Sequence, residues 1–168
     1  CGDFTGYHFS GITITGAHKS GIGIVSMDGA KISDVHYRDI TMSGTYSPIM
    51  MKVGTRKRCG NNPGVGSISG ITFDNVTGTH TGSSFSPTIW GADSGHRVSD
   101  VTFTGVKLNV PGGNGTMGTG VPSNTATDYN PKSIGTRPSY GWYLHYAAGI
   151  RFVDSSVEFA KDDGRPAS

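Results

Sequence analysis

Charge is scarce in this sequence. Lys, Arg, Asp and Glu make up 15% of the 168 residues, and the formal net charge is +2. So small an excess of one sign gives no reason to expect nucleic acid as a partner. Long apolar runs are missing too. None approaches the roughly 18 residues a membrane span needs, so no membrane partner is expected. Cysteine is limited to Cys1 and Cys59. They permit one disulfide, which is compatible with secretion without requiring it. Metal-ligand spacing is absent. The two cysteines stand too far apart for a zinc knuckle, and the six His form no HExxH motif. No Gly-rich loop lies between a strand and a helix, where it would cradle phosphate. Neither a metal nor a cofactor is expected. The first residues lack the signal-peptide pattern, and the chain opens on Cys1 rather than Met, which reads as a processed or cut end. No amphipathic helix is evident.

What the sequence has in excess is glycine. There are 27 Gly, about one residue in six against an average near 7%. Thr, Val and Ile are also frequent. β-Branched residues suit pleated strands and Gly suits tight corners, so the composition reads as all-β. Apolar residues recur at regular places, which argues against disorder.

The recurrence has a pattern: apolar, Ser, Gly or Asp, apolar, polar, aromatic or apolar. It reads Phe9-Ser10-Gly11-Ile12-Thr13-Ile14, Ile32-Ser33-Asp34-Val35-His36-Tyr37, Ile68-Ser69-Gly70-Ile71-Thr72-Phe73 and Val98-Ser99-Asp100-Val101-Thr102-Phe103. A looser copy is Ala147-Ala148-Gly149-Ile150-Arg151-Phe152. Copies starting at 9, 32, 68, 98 and 147 are spaced by 23, 36, 30 and 49 residues. A period in this range signals a solenoid or propeller. The shortest interval reads as the minimum circuit of a coil, and the longer ones carry insertions on one face. The alternation turns one side of each strand toward a shared core. The Gly or Asp after Ser fits a corner where the chain enters the strand.

A second strand follows four of the copies: Gly21 to Ser26, Pro48 to Val53, Pro87 to Gly91 and Gly141 to His145. Stacked coils place these side by side in one parallel sheet. A β-sandwich also spaces short strands regularly, but it does not repeat its sequence. The expected fold is therefore an all-β, right-handed parallel β-helix. Residues 1–168 form part of one domain of about five coils. Long loops are expected at 55–66 and 111–139, and loops of such length in compact domains usually serve function.

Four groups of residues are candidates for chemistry. Lys52, Arg56, Lys57 and Arg58 put four cations within seven positions. An Arg fork and a Lys point charge suit a carboxylated sugar, although a solvated basic turn or an edge guard needs the same residues. His18, in Gly16-Ala17-His18-Lys19-Ser20-Gly21, lies one coil from Lys52 and is placed to orient or protonate a substrate; a His in a polar turn also serves as plain surface. Tyr140, Trp142, Tyr143, His145 and Tyr146 offer faces for sugar stacking, or they pack the long loop onto the last coil. In Lys161-Asp162-Asp163-Gly164-Arg165 paired acids are available for acid–base work, or they pair with Arg165 in a terminal turn.

These residues resemble the polygalacturonase-like glycoside hydrolases, right-handed parallel β-helices of the pectinase type. The resemblance covers nearly the whole chain, as the C-terminal portion of that fold. Ser20-Gly21-Ile22-Gly23-Ile24-Val25-Ser26 resembles the family's Gly-His-Gly-Ile-Ser-Ile-Gly-Ser, and Ile49-Met50-Met51-Lys52 lies where the family has Arg-Ile-Lys. Pro48 through Arg58 is similar to a bacterial branch reading Pro-Ile-Phe-Ile-Arg-Leu-Gly-Asn-Arg. Gly95-His96, Arg137 through Tyr143 and Asp163 through Ala167 match landmarks of that branch. There are departures. Ser20 stands at the family's active-site His, with His18 two positions earlier, and Met50 stands at its Arg. The Asn-Thr-Asp and Gly-Asp-Asp motifs that carry the family's catalytic aspartates are not found. Gly2-Asp3 lies near the place of the second, in a poorly matching context.

The resemblance implies a secreted glycoside hydrolase that cleaves a polysaccharide or oligosaccharide by inversion, with a carboxylate pair upstream of Cys1. The changed His and Arg positions imply a substrate other than plain polygalacturonate. This chain would hold the substrate through Lys52, Arg56, Arg58, Trp142 and Tyr140, with His18 and Asp3 as the candidates for catalysis. Two other readings stay open: a lyase or sugar transferase on the same scaffold, and a non-catalytic carbohydrate-binding or adhesin-like β-helix. The first coil is expected to expose a sheet edge, so the N-terminal part of the same β-helix, covalent or as a separate chain, is an expected partner.

Overall fold

The computed structural model describes residues 2–79, 85–113 and 118–166. Its long strands are β1 (Phe4–Thr15), β3 (Lys31–Ser43), β5 (Ser67–Thr79) and β7 (Val98–Gly112). They alternate along the chain with short ones: β2 (Ser20–Ser26), β4 (Ser47–Val53), β6 (Thr88–Trp90) and β8 (Tyr143–His145). Each kind pairs in parallel with its own kind one circuit away. The long-strand sheet runs β1-β3-β5-β7 and the short-strand sheet β2-β4-β6-β8. Two last strands, β9 (Ala147–Val153) and β10 (Ser156–Lys161), lie on the first and second halves of β7. This is a parallel β-helix. Among the described residues the helical element is a single 3-10 turn, Pro131–Ser133.

Two columns of left-handed residues shape the long strands. Gly6, Asp34, Gly70, Asp100 and Gly149 stack in register with φ of 76°, 54°, 63°, 54° and 63°. Five positions later Gly11, Asp39, Asn75, Gly105 and Asp154 do the same, with φ of 65°, 53°, 52°, 62° and 46°. Gly meets no Cβ clash there, and Asp and Asn bear this conformation better than other side chains. Each column turns the backbone and shifts the inward face by one residue. Ile32, Val35, Ile40 and Met42 are therefore all buried, with Tyr37 packed against them, although strict alternation would turn some of them outward.

The columns correct the register of the first repeat. Phe4-Thr5-Gly6-Tyr7-His8-Phe9, not Phe9 to Ile14, pairs with Ile32 to Tyr37. Gly11 instead stacks on Asp39. Starts at 4 and 32 make the first interval 28 residues, so the 23-residue minimum circuit does not exist. Both segments read Gly, apolar or aromatic, polar, apolar or aromatic, because both follow a left-handed corner. With the register restored, the sixth position is aromatic in every copy. Phe9, Tyr37, Phe73, Phe103 and Phe152 stack in one file, with centroids 5.1, 5.1, 4.8 and 4.9 Å apart. Each such pair adds about 0.5–1.5 kcal/mol beyond the area it buries.

Small residues appear where coils crowd. A Cβ on Gly78 would stand 2.9 Å from Leu108 Cδ2 and 3.1 Å from Met42 Cγ. Cys59, in the loop after β4, is disulfide-bonded. Cys1, the other cysteine of the sequence, lies outside the described residues.

Candidate functional site

The short-strand sheet turns Ile22, Ile24, Ile49, Met51 and Ile89 into the core. Its outer face is made of two registered rows. One is Gly23, Met50, Thr88 and Tyr143; the other is Val25, Lys52, Trp90 and His145. The two rows are not equally open. Gly23 is exposed and Val25 is half-buried. Met50, Lys52 and Thr88 are 0% exposed and Trp90 is 4% exposed. What covers them is the long loop between β7 and β8.

Two cations fix that loop, Lys52 from the strand beneath it and Arg137 from within the loop itself. Lys52 Nζ donates to Thr125 O at 3.0 Å, to Asp128 O at 2.8 Å and to Ser133 Oγ at 2.7 Å. All three ammonium protons are used. Burial pushes its pKa down to about 8. Arg137 is fully buried as well. It donates from Nε to Thr88 Oγ1 at 3.0 Å, and its other nitrogens reach the carbonyls of Ile134, Gly135 and Pro131. Burial pushes it down to about 10. Ile134 joins Met50 and Trp90 in a small apolar cluster, with Tyr143 against it. Thr55 N also donates to Ala126 O at 2.9 Å. Gly54 is required there, since a Cβ would come within 2.6 Å of that same carbonyl.

Where the loop stops, a cleft of about 320 Å³ opens beside β2. It is lined by Val25, Met27, Asp28, Ala30, Arg56, Cys59 and Tyr129. Arg56 grips Asp28 with two nitrogens: Nε donates at 3.1 Å to Oδ1, and the second guanidinium nitrogen bonds Oδ2. Arg58 N donates to Oδ1 at 2.9 Å. The Arg56 hydrogen bond, then the Arg58 amide, hold the Asp28 carboxyl down at about 2. The same pairing raises Arg56 above its usual value. Tyr129 closes the other side. Its hydroxyl accepts from Lys19 Nζ at 2.9 Å, the ammonium lies 4.3 Å from the ring centroid, and the Arg56 guanidinium lies 5.9 Å from it. The Lys19 hydrogen bond lowers the Tyr129 hydroxyl. The cleft is thus walled by the Arg56–Asp28 ion pair and by the Tyr129 ring, with the Lys19 ammonium at its edge.

Residues 3–127 match the model of glycosyl hydrolases family 28. The chain belongs to glycosyl hydrolase family 28. The matched stretch contains β1 through β7, and with them every lining residue of the cleft except Tyr129. No curated protein and no solved structure matches the chain.

Of the residues that the sequence marked as candidates, the structure brings some together and moves others away. Arg56 lines the cleft, and Arg58 contributes its backbone amide there. Lys52 was expected in an open groove and instead lies sealed under the loop. His18 is exposed, with its ring 5.4 Å from that of Tyr46. Asp3 accepts from Lys31 N at 2.9 Å, tying the start of β1 to β3. Trp142 packs into the end of the core, 4.4 Å from Phe103 and 5.3 Å from Phe152. Tyr140 packs tilted against Phe159, with ring centroids 3.4 Å apart. Both rings already have protein against them. Asp163 and Arg165 form a buried two-nitrogen pair with each other, with Nε to Oδ1 at 3.0 Å and the second nitrogen to Oδ2 at 2.9 Å. That is the terminal-turn arrangement. Asp28 and Tyr129 of the cleft region went unmarked in the sequence, and Lys19 was noted only beside His18. Asp28 was legible in principle, since it precedes Arg56 by one circuit. Tyr129 sits in a loop whose return to β2 has no local sequence signal.

Proposed function

We propose that the chain forms the substrate-holding part of a secreted glycoside hydrolase that cleaves an acidic polysaccharide with inversion. The observation that carries this is the coincidence of the family 28 match with the cleft beside the open face of β2, where Arg56, Lys19 and the Tyr129 ring meet. Lys19 and the Arg56 guanidinium offer donors to a sugar carboxylate, and the Tyr129 ring offers a face. Ser20 and Met50 stand where the family has His and Arg, which supports a uronic-acid polymer other than plain polygalacturonate.

The catalytic pair is proposed to lie upstream of Cys1. Inversion needs one carboxylic acid to protonate the leaving oxygen and one carboxylate to activate water, about 6.5–9.5 Å apart. The carboxylate in the cleft lining, Asp28, is clamped by Arg56 at a pKa of about 2. It stays ionised near neutrality and has no proton to give. Its role in this reading is to aim Arg56. Lys52 acts from behind, by holding the loop that brings Tyr129 into place.

The experiment is turnover of uronic-acid polymers by the protein carrying this chain, with the anomeric configuration of the first product followed by NMR. Inverted product with loss of kcat/KM in Arg56→Ala is the expected result. An unsaturated, ultraviolet-absorbing product would make it a lyase. Binding without turnover would favour the non-catalytic reading, which the ion-paired state of Asp28 also supports.

A further inference from the structure

We infer that the loop of residues 118–139 makes the short-strand sheet a dead-end groove, so that this protein takes its polysaccharide by a chain end; this rests on the cleft being the sugar site. Stacked parallel strands give a polymer a continuous track, because neighbouring strands stand about 4.8 Å apart along the solenoid. On this sheet the track is open at β2 and shut at β4. The outward residues of β4 and β6 are sealed, while Gly23 of β2 faces solvent.

The seal is built rather than incidental. Lys52 and Arg137 spend their buried charge entirely on loop carbonyls, hydroxyls and one strand hydroxyl. Opening the loop would strip Lys52 of its three partners and part Arg137 from Thr88, which the fold resists. The loop also carries its own pairing: Thr125 N donates to Ser133 O at 2.7 Å and Gly135 N to Ser123 O at 2.8 Å. At the closed end Tyr129 leans out from the wall to Lys19, which belongs to the turn before β2. A sugar in the cleft therefore meets Tyr129 and the β4 wall, and can continue only away from β4. Tyr129 and Lys19 are then specificity-determining residues, because they form the stop against which the terminal sugar rests.

The test measures binding, so it stands apart from whether the protein hydrolyses anything. Uronic-acid oligosaccharides of one to six units are titrated by calorimetry against the protein carrying this chain. The series includes oligogalacturonides and mixed neutral–uronic oligomers, each also blocked at the reducing or the non-reducing end. A dead end predicts affinity that stops improving after the first few sugars. It also predicts that blocking one end costs about tenfold or more while blocking the other costs little, and that Tyr129→Ala reduces that discrimination. Affinity that rises through six units and ignores both blocks overturns the inference, as does failure of every oligomer to bind. Steep viscosity loss per bond cut, the mark of mid-chain cleavage, would also overturn it and leave the hydrolase reading intact. Plateaued, end-selective binding without turnover would do the reverse.

Discussion

At the scale of the residue, the Arg56–Asp28 pair sets the character of the cleft. A carboxylate that titrates near 3.8 in a free chain and near 2 here contributes stability once it is ionised in both states. That contribution is complete above about pH 3.8 and is lost as pH falls through about 2. The stability difference between wild type and Asp28→Asn should accordingly be level near neutrality and shrink across this acid window, as read by urea unfolding at stepped pH. A difference that is flat down to pH 2 would mean the pair is not formed in solution. The stacked rings give a second residue-scale expectation. Phe73 sits mid-file between Tyr37 and Phe103 and is 1% exposed. Phe73→Ala should cost roughly 3–5 kcal/mol of unfolding free energy. The terminal ring Phe152, which is exposed, should cost clearly less.

Elements owe their shape to where left-handed residues fall. The apolar–polar alternation made the strands and their parallel stacking legible, and the second strands of the four full coils appear where Gly21 to Ser26, Pro48 to Val53, Pro87 to Gly91 and Gly141 to His145 had indicated. The first repeat was misplaced by five residues because Gly6 and Gly11 open near-identical segments. Only the partner strand distinguishes them, through Asp34 and Asp39. The same columns make a prediction. Asp100 has φ of 54°, so Asp100→Gly should be close to neutral, whereas a β-branched Asp100→Val should cost about 1–3 kcal/mol in strain. Equal effects of the two, measured by thermal unfolding, would mean the corner is not left-handed. Lys52 shows a different limit. Its position on β4 was evident, but a cation on an outward strand position reads as solvent-facing until a distant loop folds over it. Lys52→Met should leave the Thr125 and Asp128 carbonyls unpaired, at about 1–3 kcal/mol. It should speed hydrogen exchange at Thr125 and Gly135 while β5 and β7 amides keep their protection. Unchanged exchange in the loop would remove Lys52 as its anchor.

At the scale of the molecule, the coils act as a scaffold and the long loop decides which part of it a ligand reaches. The sheet alone would offer a track across β2, β4, β6 and β8. With the loop in place, the accessible surface narrows to the β2 face and the cleft beside it. The fold and the family were legible from repeats and landmarks; this narrowing was not, because it depends on contacts between residues some 73 to 81 positions apart. The most direct measurement is an NMR titration of the isotope-labelled protein with a short uronic-acid oligosaccharide. The account predicts amide shifts at Gly23, Val25, Asp28, Arg56 and Tyr129, with Met50, Thr88 and Trp90 unmoved. Shifts spread along β4, β6 and β8, or centred on Trp142 and Tyr140, would contradict it.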